Sequence, residues 1–420
     1  MDDFGIGNAE NVQILVENSP LTAVGLPESS FAEDSFHERI PSRFRRLDEL
    51  GKGQYATVYR AEDLEDSKKI VAIKHLRLLT DCERTHLGGS TNDLREAEIL
   101  SSLAHPNIIR LISSFNDGPQ KTLIMECMDF SLEDVIRDKR SLPEFLFSHI
   151  MYYLLHITHG LAYLHKEKVV HRDLKPNNVL LNVKGEVKIA DFGCSKRYCH
   201  SDPRYTKQRG SRTYLPPEVL LCSSVVNETV DLWALGCISA EFCTRKPLFG
   251  VEGEGSDLAQ LTRIHSILGS PDSEDYPEGQ VKGIDVSKFH RYPRVPPNEI
   301  IPKAHDVVHT VMGKCLVYDV GKRWTSQACL THLLQFDGEG TSFHVPDPWP
   351  VPRTARRRES LIIPPAKRRS EQITPLESSN TLDLSINEEE EESHSPSKKP
   401  RLSGNLQEKL CHSKVRRKLF

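Results

Sequence analysis

The stretch that decides the reading runs His171-Arg172-Asp173-Leu174-Lys175-Pro176-Asn177-Asn178 and, after a short apolar interval, Asp191-Phe192-Gly193. It sets two carboxylates, an amide and a lysine on two neighbouring loops. Asp173 can take a proton from a hydroxyl, and Lys175 can neutralise charge on an anionic group in transfer. Asn178 and Asp191 offer hard oxygen ligands of the kind Mg²⁺ takes. Between the loops lie Val179-Leu180-Leu181 and Val187-Lys188-Ile189-Ala190, two β-rich runs around the turn Lys184-Gly185. A hairpin there would fix both loops on rigid strands.

The 420 residues leave room for a two-lobed domain and long tails, and a net charge of −4 gives no global reason to expect direct nucleic-acid binding. Ten cysteines are scattered without a C-x-x-C pair or a zinc-type His/Cys spacing, which predicts reduced intracellular thiols. The opening Met1-Asp2-Asp3-Phe4-Gly5 has neither a basic nor an apolar leader region, so no secretory signal is expected. The most apolar helix candidate, Ile150 to Leu164, contains His156 and His159 and is too short to span a bilayer, so no membrane partner is expected.

Residues 1–43, rich in Ser, Asn, Glu and Pro, read as a flexible extension. Alternation begins at Phe44 and enters a glycine-rich turn. Strands are expected around Thr57–Ala61, Ile70–Leu76, Ile108–Phe115 and Lys121–Cys127, with one helix carrying Leu94, Ala97, Leu100 and Leu103 at three- and four-residue spacing. Beyond Met128 helices take over: Leu132–Asp138, Pro143–Lys166 and Val230–Thr244. Strands first and helices afterwards predict an α+β fold with a small sheet lobe and a larger helical lobe over 44–336. Residues 337–420 alternate Pro-rich, Arg-rich and Glu-rich runs and are expected to form a disordered tail.

The remaining motifs fall in a fixed order. Gly51-Lys52-Gly53-Gln54-Tyr55-Ala56-Thr57-Val58 precedes Val71-Ala72-Ile73-Lys74, then the opening stretch, then Leu215-Pro216-Pro217-Glu218. Together they resemble the eukaryotic protein kinases over roughly residues 44–336, with Ala56 in place of the third glycine of G-x-G-x-x-G and Pro216 in place of alanine in A-P-E. The resemblance implies a two-lobed kinase fold that binds ATP and Mg²⁺ between the lobes and phosphorylates protein hydroxyls. Leu50, Gly51, Lys52, Gly53, Gln54, Tyr55, Ala56, Thr57 and Val58 would cover the nucleotide. Ala72, Leu180 and the backbone of Glu126 and Met128 would hold the adenine, with Met125 behind it. Lys74 would pair with Glu96 and hold phosphates; Asp173 and Lys175 would act at the acceptor hydroxyl; Asn178 and Asp191 would hold the metal. Glu218 would pair with Arg323, and Asp231 would tie the catalytic loop. Lys175, two residues after Asp173, is the arrangement of Ser/Thr kinases.

More narrowly, the chain resembles the cyclin-dependent kinases. The segment Ser90-Thr91-Asn92-Asp93-Leu94-Arg95-Glu96 is similar to their cyclin-binding helix, and Asp231-Leu232-Trp233-Ala234-Leu235-Gly236-Cys237 and Leu268-Gly269-Ser270-Pro271 fit the same family. Gly51 to Tyr59, His105-Pro106-Asn107-Ile108-Ile109 and Tyr205-Thr206-Lys207-Gln208 are most similar to its CDK-activating type, which also phosphorylates the RNA polymerase II C-terminal domain. That implies a cyclin-type subunit, an assembly factor, roles in cell cycle and transcription, and Thr206 as an activating phosphosite held by Arg95, Arg172 and Lys196. Three further departures from the pattern matter. Leu215 stands where the family has an arginine that shapes a proline-selecting pocket, with Gly210 where it has valine. Asp93 replaces alanine on the partner helix, and Cys194 replaces leucine after Asp-Phe-Gly. A divergent kinase that is not proline-directed, or a scaffold without chemistry, are the alternatives.

In the tail, Arg353 to Arg358, Lys367-Arg368-Arg369 and Lys398-Lys399-Pro400-Arg401 are basic clusters of nuclear-import type, implying a nuclear and also cytoplasmic protein. Ser395-Pro396-Ser397-Lys398 and Thr374-Pro375 match proline-directed substrate patterns, and Arg416-Arg417-Lys418-Leu419-Phe420 resembles a cyclin-docking motif.

Overall fold

The computed structural model describes residues 42–53, 56–66, 69–76, 92–117, 120–198, 210–223, 227–251, 255–272, 275, 290–336, 344–347, 349–353 and 355. Five antiparallel strands build the first lobe: β1 (Phe44–Lys52), β2 (Ala56–Asp63), β3 (Lys69–Leu76), β4 (Leu111–Asp117) and β5 (Gln120–Glu126), in the order β1-β2-β3-β5-β4. Exposure alternates along β1, half-buried on one face and wet on the other. Ala61, Val71, Ile73 and Ile124 form the buried cluster of this sheet. Helix α1 (Asn92–Ser101) follows β3 and buries Ala97, Ile99 and Leu100 in the main core.

The expected strand from Ile108 starts instead at Leu111. The backbone of the preceding residues is engaged elsewhere: Ile109 N–H donates to the Ile189 carbonyl at 2.9 Å and Ile189 N–H to the Asn107 carbonyl at 2.9 Å. These bonds stitch the sheet lobe to the hairpin of the helical lobe.

That lobe holds α2 (Leu132–Arg137), α3 (Phe147–Lys166), α4 (Pro217–Leu220), α5 (Val230–Thr244), α6 (Asp257–Leu268), α7 (Pro297–Ile300), α8 (Asp306–Cys315) and α9 (Ser326–Phe336). Ser131 and Asp134 cap α2 reciprocally, at 3.2 and 2.8 Å. Helix α3 begins four residues later than the Pro143 expected. Phe145 is buried against Tyr153 and Phe242, which holds the chain extended there, and His149 supplies the cap by accepting the Leu146 N–H at 3.1 Å. Helix α5 is buried on nearly all sides, so its apolar residues show no one-sided stripe.

Short strands complete the lobe: β6 (Phe130–Ser131), β7 (Val169–Val170), β8 (Val179–Leu181), β9 (Val187–Ile189) and β10 (Lys196–Arg197). Strands β8 and β9 form the expected hairpin, with Gly185 at φ +90° in its turn. The described cysteines are all free thiols. Among the described residues no helix is long and apolar enough to cross a membrane.

Within the stretch expected to form a tail from 337, the described residues 344–347, 349–353 and 355 lie on the helical lobe. A Cβ at Gly185 would collide with Val345. Trp349 Nε1 donates to the Asn182 carbonyl at 3.0 Å, its ring sits 5.6 Å from that of Tyr152, and Arg353 N–H donates to the Asp138 carboxylate at 2.9 Å. Apolar side chains with no regular period leave such a segment invisible to pattern reading.

Candidate active site

Three charged side chains meet where the lobes face each other. Lys74, on β3, donates to both carboxylate oxygens of Glu96 on α1, at 2.8 and 2.9 Å, and to Asp191 Oδ1 at 2.8 Å. Burial alone would discharge Lys74, but Asp191 and Glu96 outweigh it and raise the ammonium's pKa, so the lysine stays cationic. The Lys74 charge in turn pulls Asp191 down to about 2 despite burial. Asp191 adopts left-handed backbone, φ 64°, at the entry to the turn Phe192–Cys194, against which α1 packs.

The catalytic loop is held from below by Asp231 at the start of α5. Its carboxylate accepts the N–H of His171 at 2.9 Å, the N–H of Arg172 at 2.8 Å, and a hydrogen bond with His165 Nε2 at 2.9 Å. Burial opposes its charge, yet these bonds win and lower its pKa. Arg172 has left-handed backbone too, φ 68°. Above, the Asp173 carboxylate receives Lys175 Nζ at 2.8 Å, Asn178 Nδ2 at 3.1 Å and the Ser211 N–H at 2.8 Å. Lys175 also reaches Ser211 Oγ at 2.7 Å. Ser211 is not among the residues the sequence singles out. Its signal was its place, next to Gly210 in the segment that ends in Leu215-Pro216-Pro217-Glu218.

Asn178 spends its amide N–H groups on Asp173, leaving the amide oxygen as the atom available to a cation. An ionised carboxylate and an amide oxygen form a hard-oxygen donor set that fits Mg²⁺, which completes its shell with phosphates and water. Among the described residues no cluster of three or more His, Cys, Asp or Glu forms a fuller metal cage.

The expected nucleotide wall is half-buried at Leu50, Val58 and Leu180, with Ala72 and Met125 buried. Gly51 lies opposite Val58 and is exposed, and a Cβ on it would meet nothing within 4 Å. Lys52 and Gly53 are exposed, Ala56 and Thr57 half-buried, and Gln54 and Tyr55 lie outside the described residues. Glu126 ends β5 and Met128 follows, where one lobe gives way to the other.

Thr206 lies outside the described residues. Of its expected ligands, Arg95 sits on α1, Lys196 on β10, and Arg172 donates from Nε to the Cys194 carbonyl at 2.6 Å. Burial pushes the Cys194 thiol up to about 12, so it stays an unreactive thiol. Glu218 and Arg323 form the expected pair, bidentate at 2.7 and 3.0 Å and fully enclosed. Leu215 is buried, and a Cβ on Gly210 would stand 2.8 Å from the Arg172 carbonyl and 3.1 Å from Leu215 Cδ2. The two departures therefore fit each other: glycine makes room for the leucine and for the catalytic loop.

A sheet lobe and a helical lobe joined by a lysine–glutamate–aspartate triad define the class of the protein kinases, and the protein kinase domain pattern matches residues 44–334. Cyclin-dependent kinase 7 of Xenopus laevis is 38% identical over 290 residues, covering 69% of this chain and 80% of that relative. The chain belongs to the protein kinases and, within them, to the cyclin-dependent kinase family. It is a Ser/Thr protein kinase.

Proposed function

We propose that this kinase is of the CDK-activating type and acts in cell-cycle and transcriptional control on protein substrates in the nucleus. The observation that carries the catalytic reading is the set of three donors on Asp173 beside the Lys74–Glu96–Asp191 triad. Asp173 orients the acceptor hydroxyl and takes its proton. Lys175 and Lys74 neutralise charge on the transferred phosphoryl group, so rate comes from positioning and electrostatics. ATP supplies the phosphoryl group, and bound Mg²⁺, held by Asn178 and Asp191, supplies charge neutralisation on the phosphates. The glycine loop from Leu50 to Val58, with Ala72, Leu180 and the backbone of Glu126 and Met128, holds the nucleotide. Resemblance to cyclin-dependent kinase 7 supports a cyclin-type partner on α1, with an assembly factor, and phosphorylated Thr206 held by Arg95, Arg172 and Lys196. The basic clusters of the tail support nuclear import.

One observation favours a second reading on specificity. Leu215 and Gly210 build an apolar floor beside Asp173, so the residue after the acceptor is not required to be proline. The test of the catalytic reading is transfer of labelled phosphate to protein by the full chain and by its Asp173→Asn variant. The variant should fall to background; equal incorporation in both would leave a scaffold without chemistry.

A further inference from the structure

The hairpin β8–β9 carries both oxygen donors for the metal, Asn178 at the foot of β8 and Asp191 just beyond β9. Its strands have three residues each, too short a pair to hold its own geometry. At the cleft end the hairpin is tied by backbone bonds. Ala190 N–H donates to the Asn178 carbonyl at 2.8 Å, which couples the two donor positions, and Ile189 bonds the backbone of Asn107 and Ile109. The far end, the turn from Asn182 to Glu186, is held from outside. Asp129 accepts the Val183 N–H at 2.9 Å, and the Tyr152 hydroxyl donates to the Gly185 carbonyl at 2.8 Å.

The third hold comes from the described residues between 344 and 355. Val345 covers Gly185, where a Cβ would stand 2.4 Å from Val345 Cγ2, so the glycine leaves room for the valine as well as turning the chain. Trp349 Nε1 adds a second donor to the Asn182 carbonyl, which already accepts the Gly185 N–H at 3.1 Å. The indole ring packs on Tyr152 and Tyr153 of α3, with centroids at 5.6 and 5.8 Å. Beyond it Pro350 and Pro352 are buried, Arg353 N–H donates to the Asp138 carboxylate just past α2, and Ala355 is enclosed in the core. Two buried prolines and an anchor on each side of them make this a stiff brace. The short strands place the turn on the order of 10 Å from Asn178 and Asp191, so a tilt of the turn passes to both donors.

We propose that Trp349 is a positioning residue for phosphoryl transfer: by fixing the hairpin turn it keeps Asn178 and Asp191 in register for a divalent cation. This rests on the reading of those two residues as the Mg²⁺ donors. Trp349 reaches the site only through the Asn182 carbonyl and the packing around it, so its effect is read in what the metal adds to nucleotide binding. Groups that orient metal ligands directly are worth about tenfold or more in metal affinity, and a brace one step further out is worth less.

The test uses the full chain isolated with its co-purifying partner and titrates ADP by calorimetry, once with saturating Mg²⁺ and once with EDTA. The ratio of the two dissociation constants measures what the metal adds. Trp349→Ala should shrink that ratio roughly threefold to tenfold, with the affinity for ADP in EDTA unchanged within about twofold. Trp349→Phe, which keeps a ring and loses the N–H, should fall between, and it decides the matter if the alanine chain does not fold. Amide hydrogen exchange should rise across residues 179–191 of the variant and stay as in the wild type through α5. Leu330→Ala, a cavity in α9, is the structural control: it lowers stability and leaves the ratio alone. An unchanged ratio in the Trp349 variant, an equal loss in both titrations, or the same shrinkage in Leu330→Ala would each overturn the positioning role alone. A wild type whose ADP affinity gains nothing from Mg²⁺ would overturn the metal reading of Asn178 and Asp191 along with it.

Discussion

Two regions converge on Asp173 and follow the family to different degrees. On the nucleotide side, Lys74, Glu96, Asn178 and Asp191 are the expected residues, and each finds a charged or hydrogen-bonded partner. On the acceptor side the pattern is altered at Gly210, Leu215 and Pro216, yet Leu215 is buried and fits the space that Gly210 leaves. Charge pairing constrains the first region, since a lysine buried between carboxylates has no substitute of the same geometry. Shape constrains the second, where a valine-and-arginine combination can give way to glycine and leucine together. Charge pairing and shape therefore hold two separable parts of one site.

The hardest blow to the first region is Lys74→Met. It leaves Glu96 and Asp191 facing each other without their shared cation, and kcat should fall about a thousandfold, roughly 4 kcal/mol of transition-state stabilisation. A steady-state assay at saturating peptide checks it; a loss under tenfold would show the triad to be structural only. Next is Arg323→Met, which strands the buried Glu218 carboxylate that anchors the end of the acceptor segment. Stability should drop by about 3–4 kcal/mol, read by denaturant titration.

Gly210→Val tests whether shape governs the acceptor side. The added carbons would press on the Arg172 carbonyl and Leu215, costing about 1–3 kcal/mol of packing strain. KM for peptide should rise, while KM for ATP stays within twofold. If Leu215→Ala in the same chain failed to relieve the strain, the pairing of these two positions would be wrong.

The smallest expected effect is a pH slope. Glu241 titrates at about 7 when folded and, unfolded, near the ordinary value of about 4.3. A raised carboxyl stabilises the fold fully below its unfolded pKa, and that contribution is lost as pH climbs towards 7. Between pH 5 and 8 the wild type should therefore lose about 1–2 kcal/mol relative to Glu241→Gln, measured by denaturation at each pH. Parallel pH curves would mean the carboxyl is already satisfied.

How much of this could be read beforehand depended on whether a residue announces itself by spacing. The β8–β9 hairpin, the Lys74–Glu96 pair, the Asp231 tie and the Glu218–Arg323 pair all stand at fixed places in a known order, and the structure has each of them. What escaped were contacts set by tertiary neighbours. Trp349 meets Asn182 across 167 positions of chain, and no local period foretells that. Glu133 and Glu241 look like ordinary helix-surface acids in sequence; only folding shows one beside Asn177 and the other buried. The start of α3 was misplaced because Phe145 packs into the core before the helix begins.

The claim that chemistry is conventional while acceptor choice is not can be tested with two peptides that differ in one residue. Both carry the same serine, one followed by leucine and the other by proline, and both are offered to the full chain with its co-purifying partner. The apolar floor at Leu215 predicts a kcat/KM for the leucine peptide at least equal to that for the proline peptide, and a Leu215→Arg kinase that shifts the ratio towards proline. A wild-type preference of tenfold or more for proline would contradict the account.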